Sequence, residues 1–176
     1  MDIRKQLLKE HNKANTLKIV DFVDDSKIRF KQLVTIFLAG PYRVTQRAAW
    51  PLSICAERNP QFIKPHLKKI MDHIEKPGIH DAAKRNTVRL LQFADVPSAL
   101  HGRLLNICFR FLQDKKEPVA IKVFSMTVIA NIAKDKPEIM KELTIIIQDL
   151  IPYSTAAFRS RAARILKRLR HEHLQL

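Results

Sequence analysis

The sequence predicts an all-α fold in which helix pairs stack into a right-handed superhelix, an α-solenoid. Apolar residues recur at helical spacing along almost the whole chain, as in the stripe Phe30, Leu33, Val34 and Phe37. Strand-like alternation is not found over any useful length. Two landmarks also recur about every 37 residues, and a period of that size holding two helices is typical of stacked helical repeats.

The first landmark is a proline that ends one apolar helix and begins the next. It occurs in Ala56-Glu57-Arg58-Asn59-Pro60, Phe93-Ala94-Asp95-Val96-Pro97 and Ala133-Lys134-Asp135-Lys136-Pro137. The second is a cation early in the helix before that proline, at Arg47, Arg85, Lys122 and Arg159. Three residues after these cations stand Trp50, Val88, Ser125 and Ala162. Two landmarks that share one period favour a repeat.

Residues 1–25 are expected to form an N-terminal capping helix for the stack, and residues 26–171 about four helix pairs. The predicted pairs are 26–39 with 43–58, 60–75 with 80–94, 97–113 with 118–134, and 137–151 with 155–171. Gly40 is expected to end the first of these helices in a left-handed cap, Asn59 to cap the helix at Pro60, and Ser154 or Thr155 to cap the last helix. No Gly-, Ser- or Pro-rich linker divides the chain, so 1–176 is expected to be one domain.

This pattern resembles HEAT repeats, which belong to the armadillo-like α-solenoids. Their second helices typically open with an apolar–basic pair followed by a small residue three positions after the basic one. Phe158-Arg159-Ser160-Arg161-Ala162 and Ile121-Lys122-Val123-Phe124-Ser125 match well, whereas Trp50 and Val88 stand at the small position of the other two units. The resemblance covers about residues 26–171, and it implies a binding scaffold rather than a particular activity.

Composition excludes several classes of protein. With 46% apolar and 28% charged residues, the chain is a folded protein and not a disordered basic tail. Glycine occurs only at 40, 78 and 102, so no glycine-rich phosphate loop or nucleophile elbow can be built. Neither a secretory signal nor an 18-residue apolar run is visible, which predicts a cytoplasmic protein without a membrane span. Cys55 and Cys108 are expected to be buried free thiols.

The net charge of +15 is the main functional clue. It is densest in the last predicted helix, where the apolar residues fall on one arc of about 100°. Its cations, on the other side, are Arg159, Arg161, Arg164, Lys167, Arg168 and Arg170. Two interpretations stay open here: a solubilising end of the repeat array, or a face that binds phosphate groups or an acidic partner.

Arg47, Arg85, Lys122 and Arg159, with Arg89 added, form a periodic series that also has two interpretations. Second helices of HEAT units usually line the concave surface, so such a row could follow a polyanion. Alternatively, each cation could bond carboxylates or helix carbonyls of its neighbours and so stabilise the stack. Asp81 before Arg85 and Glu117 before Lys122 favour this structural ladder.

Trp50, with Tyr42 close by, is the only cluster suggestive of base stacking, although a lone Trp in a helical stripe is more often a core residue. Arg47-Ala48-Ala49-Trp50 has a distant similarity to helices of the DNA-alkylation-repair HEAT-like proteins. Those glycosylases also use further aromatic residues and an acidic residue near the flipped base, and no acid follows Trp50 until Glu57.

No catalytic motif, metal site or cofactor is predicted, because the histidines and cysteines lack metal-ligand spacing. The leading hypothesis is a non-enzymatic scaffold whose basic surface engages an acidic protein or a nucleic acid. The alternatives are a glycosylase-like enzyme and a purely structural or homo-oligomeric scaffold.

Overall fold

The computed structural model describes residues 1–173 of the chain and the side chains of residues 1–171. Within this range it contains ten α-helices and no β-strand. The helices are α1 (Ile3–Lys9), α2 (Lys13–Val23), α3 (Lys27–Ala39), α4 (Tyr42–Arg58), α5 (Leu67–Ile74), α6 (Asp81–Leu91), α7 (Ser98–Gln113), α8 (Val119–Ile132), α9 (Pro137–Leu150) and α10 (Ala156–His173). The predicted all-α fold and its four helix pairs are confirmed.

The second pair shows the largest difference from its predicted bounds. Residues 60–75 were expected to form one helix, but two 3₁₀ turns, Pro60–Phe62 and Lys64–His66, come before α5. Pro65 explains the delay, because a proline inside an α-helix removes a backbone donor and clashes with the preceding turn. A regular helix therefore starts only at Leu67.

The N-terminal segment forms two helices where one capping helix was expected. Asp2 caps α1 by accepting the amide of Lys5 at 3.0 Å, and Asn12 caps α2 by accepting that of Asn15 at 2.8 Å. Residues 10–12 separate these helices, and both pack against α4. The start of the chain thus has the same paired-helix form as the predicted repeats.

The first compact unit comprises residues 1–96, with helices α1 to α6. Its second helices pack side by side, since α4 lies against both α2 and α6, while α3 packs on α4. The largest fully buried side chains of this unit include Phe30, Phe37, Ile19, Leu33, Leu52, Ile63, Leu67 and Ile70. These are the apolar stripes that the helical spacing predicts.

The second compact unit begins at Pro97 and contains α7 to α10. Helix α7 packs on α8, and α8 in turn contacts α9 and α10. Leu104, Ile129, Leu143 and Phe158 are at most 1% exposed at its centre. The expectation that 1–176 forms a single domain stays a prediction.

The helix ends follow some of the predicted signals and depart from others. Thr155 caps α10 by accepting the amide of Phe158 at 3.4 Å, as expected. The prediction for Gly40 is wrong, because its φ of −72° is not left-handed. Glycine is needed there for space, since a Cβ would lie 2.6 Å from the carbonyl oxygen of Ile36. The side chain of Asn59 does not cap the turn that starts at Pro60 and instead donates its amide to the carbonyl of Asp24 at 3.2 Å.

Each unit contains one cysteine, and both thiols are free and buried, as the sequence predicts. Burial raises the pKa of Cys55 and of Cys108 to about 12. At neutral pH both are therefore protonated, and they pack as small apolar side chains. None of the described helices has the length and apolar character needed to cross a membrane.

Candidate functional site

Helix α10 carries the largest set of predicted binding residues. Phe158, Ala162, Ile165 and Leu169 are buried on its core face, which leaves the basic residues on the rest of the helix circumference. Helical spacing places Leu166 on the apolar arc of α10, but this side chain is only half-buried and lies beside the neighbouring helix α9. The six cations consequently share one helix but not one environment.

Two of the six cations bond to the neighbouring helix α8. The Nη1 group of Arg161 donates to Oγ1 of Thr127 at 2.7 Å, and Nη1 of Arg168 donates to Oδ1 of Asn131 at 2.9 Å. Both arginines are half-buried, and burial together with the charge of Arg164 lowers the pKa of Arg161. These two guanidinium groups hold α10 against α8.

The other four cations, here called the outer cations, are exposed. They are Arg159, Arg164, Lys167 and Arg170. Arg159 donates to the carbonyl of Ser154, and Nε of Arg170 to that of Leu166 at 3.4 Å, both within or next to α10 itself. Arg164 and Lys167 make no hydrogen bond or ion pair with the described residues. The outer cations thus have no acidic partner within the described part of the chain.

The cations of α4 and α6 are mostly engaged in packing. Nη1 of Arg47 donates at 3.0 Å to the carbonyls of both Leu7 and Leu8, which caps the C-terminal end of α1. Nη2 of Arg89 lies 2.9 Å from Oε2 of Glu57 on α4. Arg85 alone of these three is exposed and makes no bond to the described residues. Two of the three therefore have the geometry of the structural ladder.

Lys122 of α8 is half-buried and makes no bond to the described residues. The carboxylates expected to pair with Arg85 and Lys122 do not do so: Asp81 lies one helical turn before Arg85 without bonding it, and Glu117 does not bond Lys122. The partners of the engaged cations lie on neighbouring helices instead.

Two of the bonded pairs between helices have a spacing that the sequence analysis missed. Arg58 follows its partner Asp21 by 37 residues, and their side chains meet at 3.2 Å. Arg168 likewise follows Asn131 by 37 residues. This separation equals the repeat period, because residues one period apart lie side by side on stacked helices. A search for cations one period after a polar residue would have found both pairs.

The two aromatic residues proposed for base stacking do not contact each other. Trp50 is half-buried, and its ring meets that of His11 edge to face, with centroids 6.2 Å apart. Tyr42 is 63% exposed and contacts His80 in the same way at 5.4 Å. Each aromatic ring thus pairs with a histidine from another part of the first unit.

His73 on α5 is an unusual buried residue, which the sequence analysis considered only as one of the histidines without metal-ligand spacing. It is 6% exposed, neither ring nitrogen has a hydrogen-bond partner among the described residues, and its ring lies 4.8 Å from that of Phe37. Burial, and then the charge of Lys76, lowers its pKa. The imidazole is therefore neutral at pH 7.

A groove of about 660 Å³ runs between α9 and α10. Met140, Ile145, Leu166 and Leu169 give it an apolar lining, and Lys141 and Arg170 also line it. Helical spacing along α9 predicts the apolar stripe Ile139, Leu143, Ile146, Ile147 and Leu150. Ile145 lies off that stripe and is 49% exposed. Of the outer cations, Arg170 lines the α9–α10 groove.

Nothing in the described residues resembles a metal centre, since no group of three or more His, Cys, Asp or Glu side chains could hold an ion there. The α9–α10 groove is mainly apolar, and its lining contains no histidine or cysteine. The arrangement therefore offers positive charge and apolar contact area as its means of recognition.

Comparison with known proteins identifies the family. A model of the HEAT repeat domain matches residues 3–169, nearly the whole chain. No curated protein and no solved structure matched the sequence. The match includes α1 and α2, in keeping with their arrangement as a pair. The chain belongs to the HEAT-repeat family.

Proposed function

We propose that this protein is a binding scaffold whose last described helix pair engages an acidic partner, either a protein or a nucleic acid. One observation carries the proposal: α10 contains six cations and no acidic residue from Ala156 to His171, and four of the six are exposed. A helix that only solubilises the end of a repeat array would normally carry both signs of charge.

The cations of α10 differ in whether they already bond to the neighbouring helix α8. Arg161 and Arg168 already bond to α8, so their removal would disturb packing as well as charge. Arg164 and Lys167 have no such bond and can turn fully towards a ligand. A phosphate or carboxylate group meeting these two side chains would form charge-assisted contacts without sequence discrimination.

The test is fluorescence anisotropy with labelled duplex DNA, single-stranded RNA and poly-glutamate, each across a salt series. We expect binding at low salt that weakens as salt increases, because Lys and Arg contacts release counterions. The double variant R164A/K167A should bind about tenfold more weakly. On duplex DNA its log–log salt slope should fall by about 2, since each phosphate contact contributes roughly 0.9.

The matched control is K115A/K116A, which removes two exposed lysines from the segment between α7 and α8. Its net charge equals that of R164A/K167A, so a general charge effect would weaken both variants equally. Absence of binding to all three ligands at low salt would refute the proposal. Release of a base from alkylated DNA would instead favour the glycosylase-like alternative.

A further inference from the structure

The α9–α10 groove is an apolar surface that the described chain leaves uncovered. Its lining residues come from α9 and α10 alone, and Ile145 remains 49% exposed. Leu166 is half-buried at the same place, whereas Met140 and Leu169 are only 5% and 4% exposed beneath them. A contiguous apolar patch rimmed by polar side chains is typical of an interaction site.

The cations around this groove lie on its α10 side and at Lys141. Lys141 lines it from α9 and Arg170 from α10, and the exposed Lys167 stands one turn before Arg170. Glu138 is the one acid among the lining residues. At 100° per residue, Glu142 and Asp149 lie one turn either side of Ile145, on the outer edge of α9 beside Glu138. A ligand in the groove would therefore meet an apolar floor with cations at Lys141 and along α10, and acids only at the outer edge of α9.

The shape of the groove suits a helix. The lining residues of α9 run from Pro137 to Gln148, which is a length of about 17 Å or three helical turns. An amphipathic helix inserts side chains at i, i+3, i+4 and i+7 into such a groove. A nucleic acid could satisfy the cations, but it has no aliphatic side chains to cover Ile145 and Leu166.

We propose that the α9–α10 groove binds an acidic amphipathic helix of a partner protein. Apolar side chains on one face of that helix cover Ile145 and Leu166, and its carboxylates face Lys141, Lys167 and Arg170. This inference rests on the proposed function, because it takes the acidic partner of the outer cations to be a protein and gives its form.

The test uses three 16-residue peptides with fluorescein at one end. In each, leucines lie on one face at different helical spacings, and glutamates fill the other positions. A scrambled peptide of the same composition, with its leucines spread around the helix, is the matched ligand control. We expect at least one patterned peptide to bind at least tenfold more tightly than the scrambled one, because only patterned leucines can fill the groove together.

The variant I145D places a charge in the groove at a half-exposed position, and L8D is its control at Leu8 of α1, which is 47% exposed. We expect I145D to weaken peptide binding at least tenfold, L8D to leave it unchanged, and neither to alter nucleic-acid binding. Methyl NMR of the unmodified protein gives an independent measurement. The signals of Ile145 and Leu166 should shift when the peptide is added, and that of Leu8 should not.

Four outcomes would overturn the inference. If nucleic acids bind with the expected salt dependence but no patterned peptide does, the inference fails and the proposed function stands. If scrambled and patterned peptides bind equally and I145D has no effect, the partner is recognised by charge alone. If light scattering shows a dimer that I145D dissociates, a second copy covers the groove. Loss of all binding to nucleic acid, poly-glutamate and peptides would refute both proposals.

Discussion

At the residue scale, the ring nitrogens of His73 are buried and have no hydrogen-bond partner in the part of the chain that the structure describes. It lines a cavity of about 250 Å³ together with Leu38, Lys69, Asp72 and Lys76. An unsatisfied polar group in a protein interior costs about 1–3 kcal/mol, and a charged one costs more. Protonation of this ring should therefore act against the folded state.

The first prediction concerns the pH dependence of stability. The folded pKa of His73 is lowered, so the unfolded chain binds its proton more readily, and unfolding takes up a proton below about pH 6.5. The free energy of unfolding should consequently fall as the pH is lowered from 7 to 5. In the variant H73L this contribution is missing, so urea titrations should show the advantage of H73L over the unmodified protein growing as the pH falls. Parallel pH curves for the two proteins would contradict the assignment.

At the element scale, the position of α10 depends on two bonds that its neighbour α8 accepts. Arg161 reaches Thr127 and Arg168 reaches Asn131, and each arginine lies on the side of α10 that faces α8. Because both guanidinium groups are half-buried, these charge-assisted bonds are less screened by solvent than bonds at an open surface.

We expect the variant R168A to lower the free energy of unfolding by about 1–2 kcal/mol, because it removes a hydrogen bond to a charged group and the packing of its aliphatic stem. The control K167A changes the next residue, which is exposed and unbonded, and should stay within about 0.5 kcal/mol of the unmodified protein. Urea unfolding measures both. If the loss from R168A is undiminished when Asn131 is already alanine, the bond seen in the structure does not account for it.

The sequence was sufficient to predict these elements because helical spacing and proline positions report directly on local structure. Buried stripes such as Phe30, Leu33, Val34 and Phe37 follow from the helical period alone. The start of α5 could not be inferred as well, since Pro65 shifts it by several residues. Which cations bond a neighbouring helix depends on how the helices are aligned, and the groove depends on Ile145 lying off the predicted stripe.

At the scale of the whole molecule, positive charge is shared between the two compact units. Residues 1–96 contain 18 basic and 10 acidic residues, and residues 97–176 contain 14 and 7. Net charge alone therefore does not single out α10. What distinguishes this helix is a run from Ala156 to His171 with six cations and no acid, which is a local property.

The units also differ in their number of helix pairs. The first contains three pairs, α1 to α6, and the second contains two, α7 to α10. In repeat proteins the stability is approximately a sum over repeats and their interfaces, and about three repeats are needed for a stable fold. We expect a fragment of residues 1–96 to keep its helical circular dichroism and to unfold cooperatively in urea, and a fragment of residues 97–176 to unfold at much lower urea. If neither fragment folds while the intact chain unfolds in one transition, the single-domain expectation is correct.

Because each unit contains one buried thiol, the reactivity of that thiol can report when the helices of its unit open locally. Cys55 and Cys108 are protonated and covered in the folded state, so neither reacts readily with an alkylating reagent. Each becomes reactive only when the helices around it separate. Mass spectrometry after a brief alkylation pulse can therefore follow the opening of α4 and of α7 separately in the same intact molecule, without a label or a substitution.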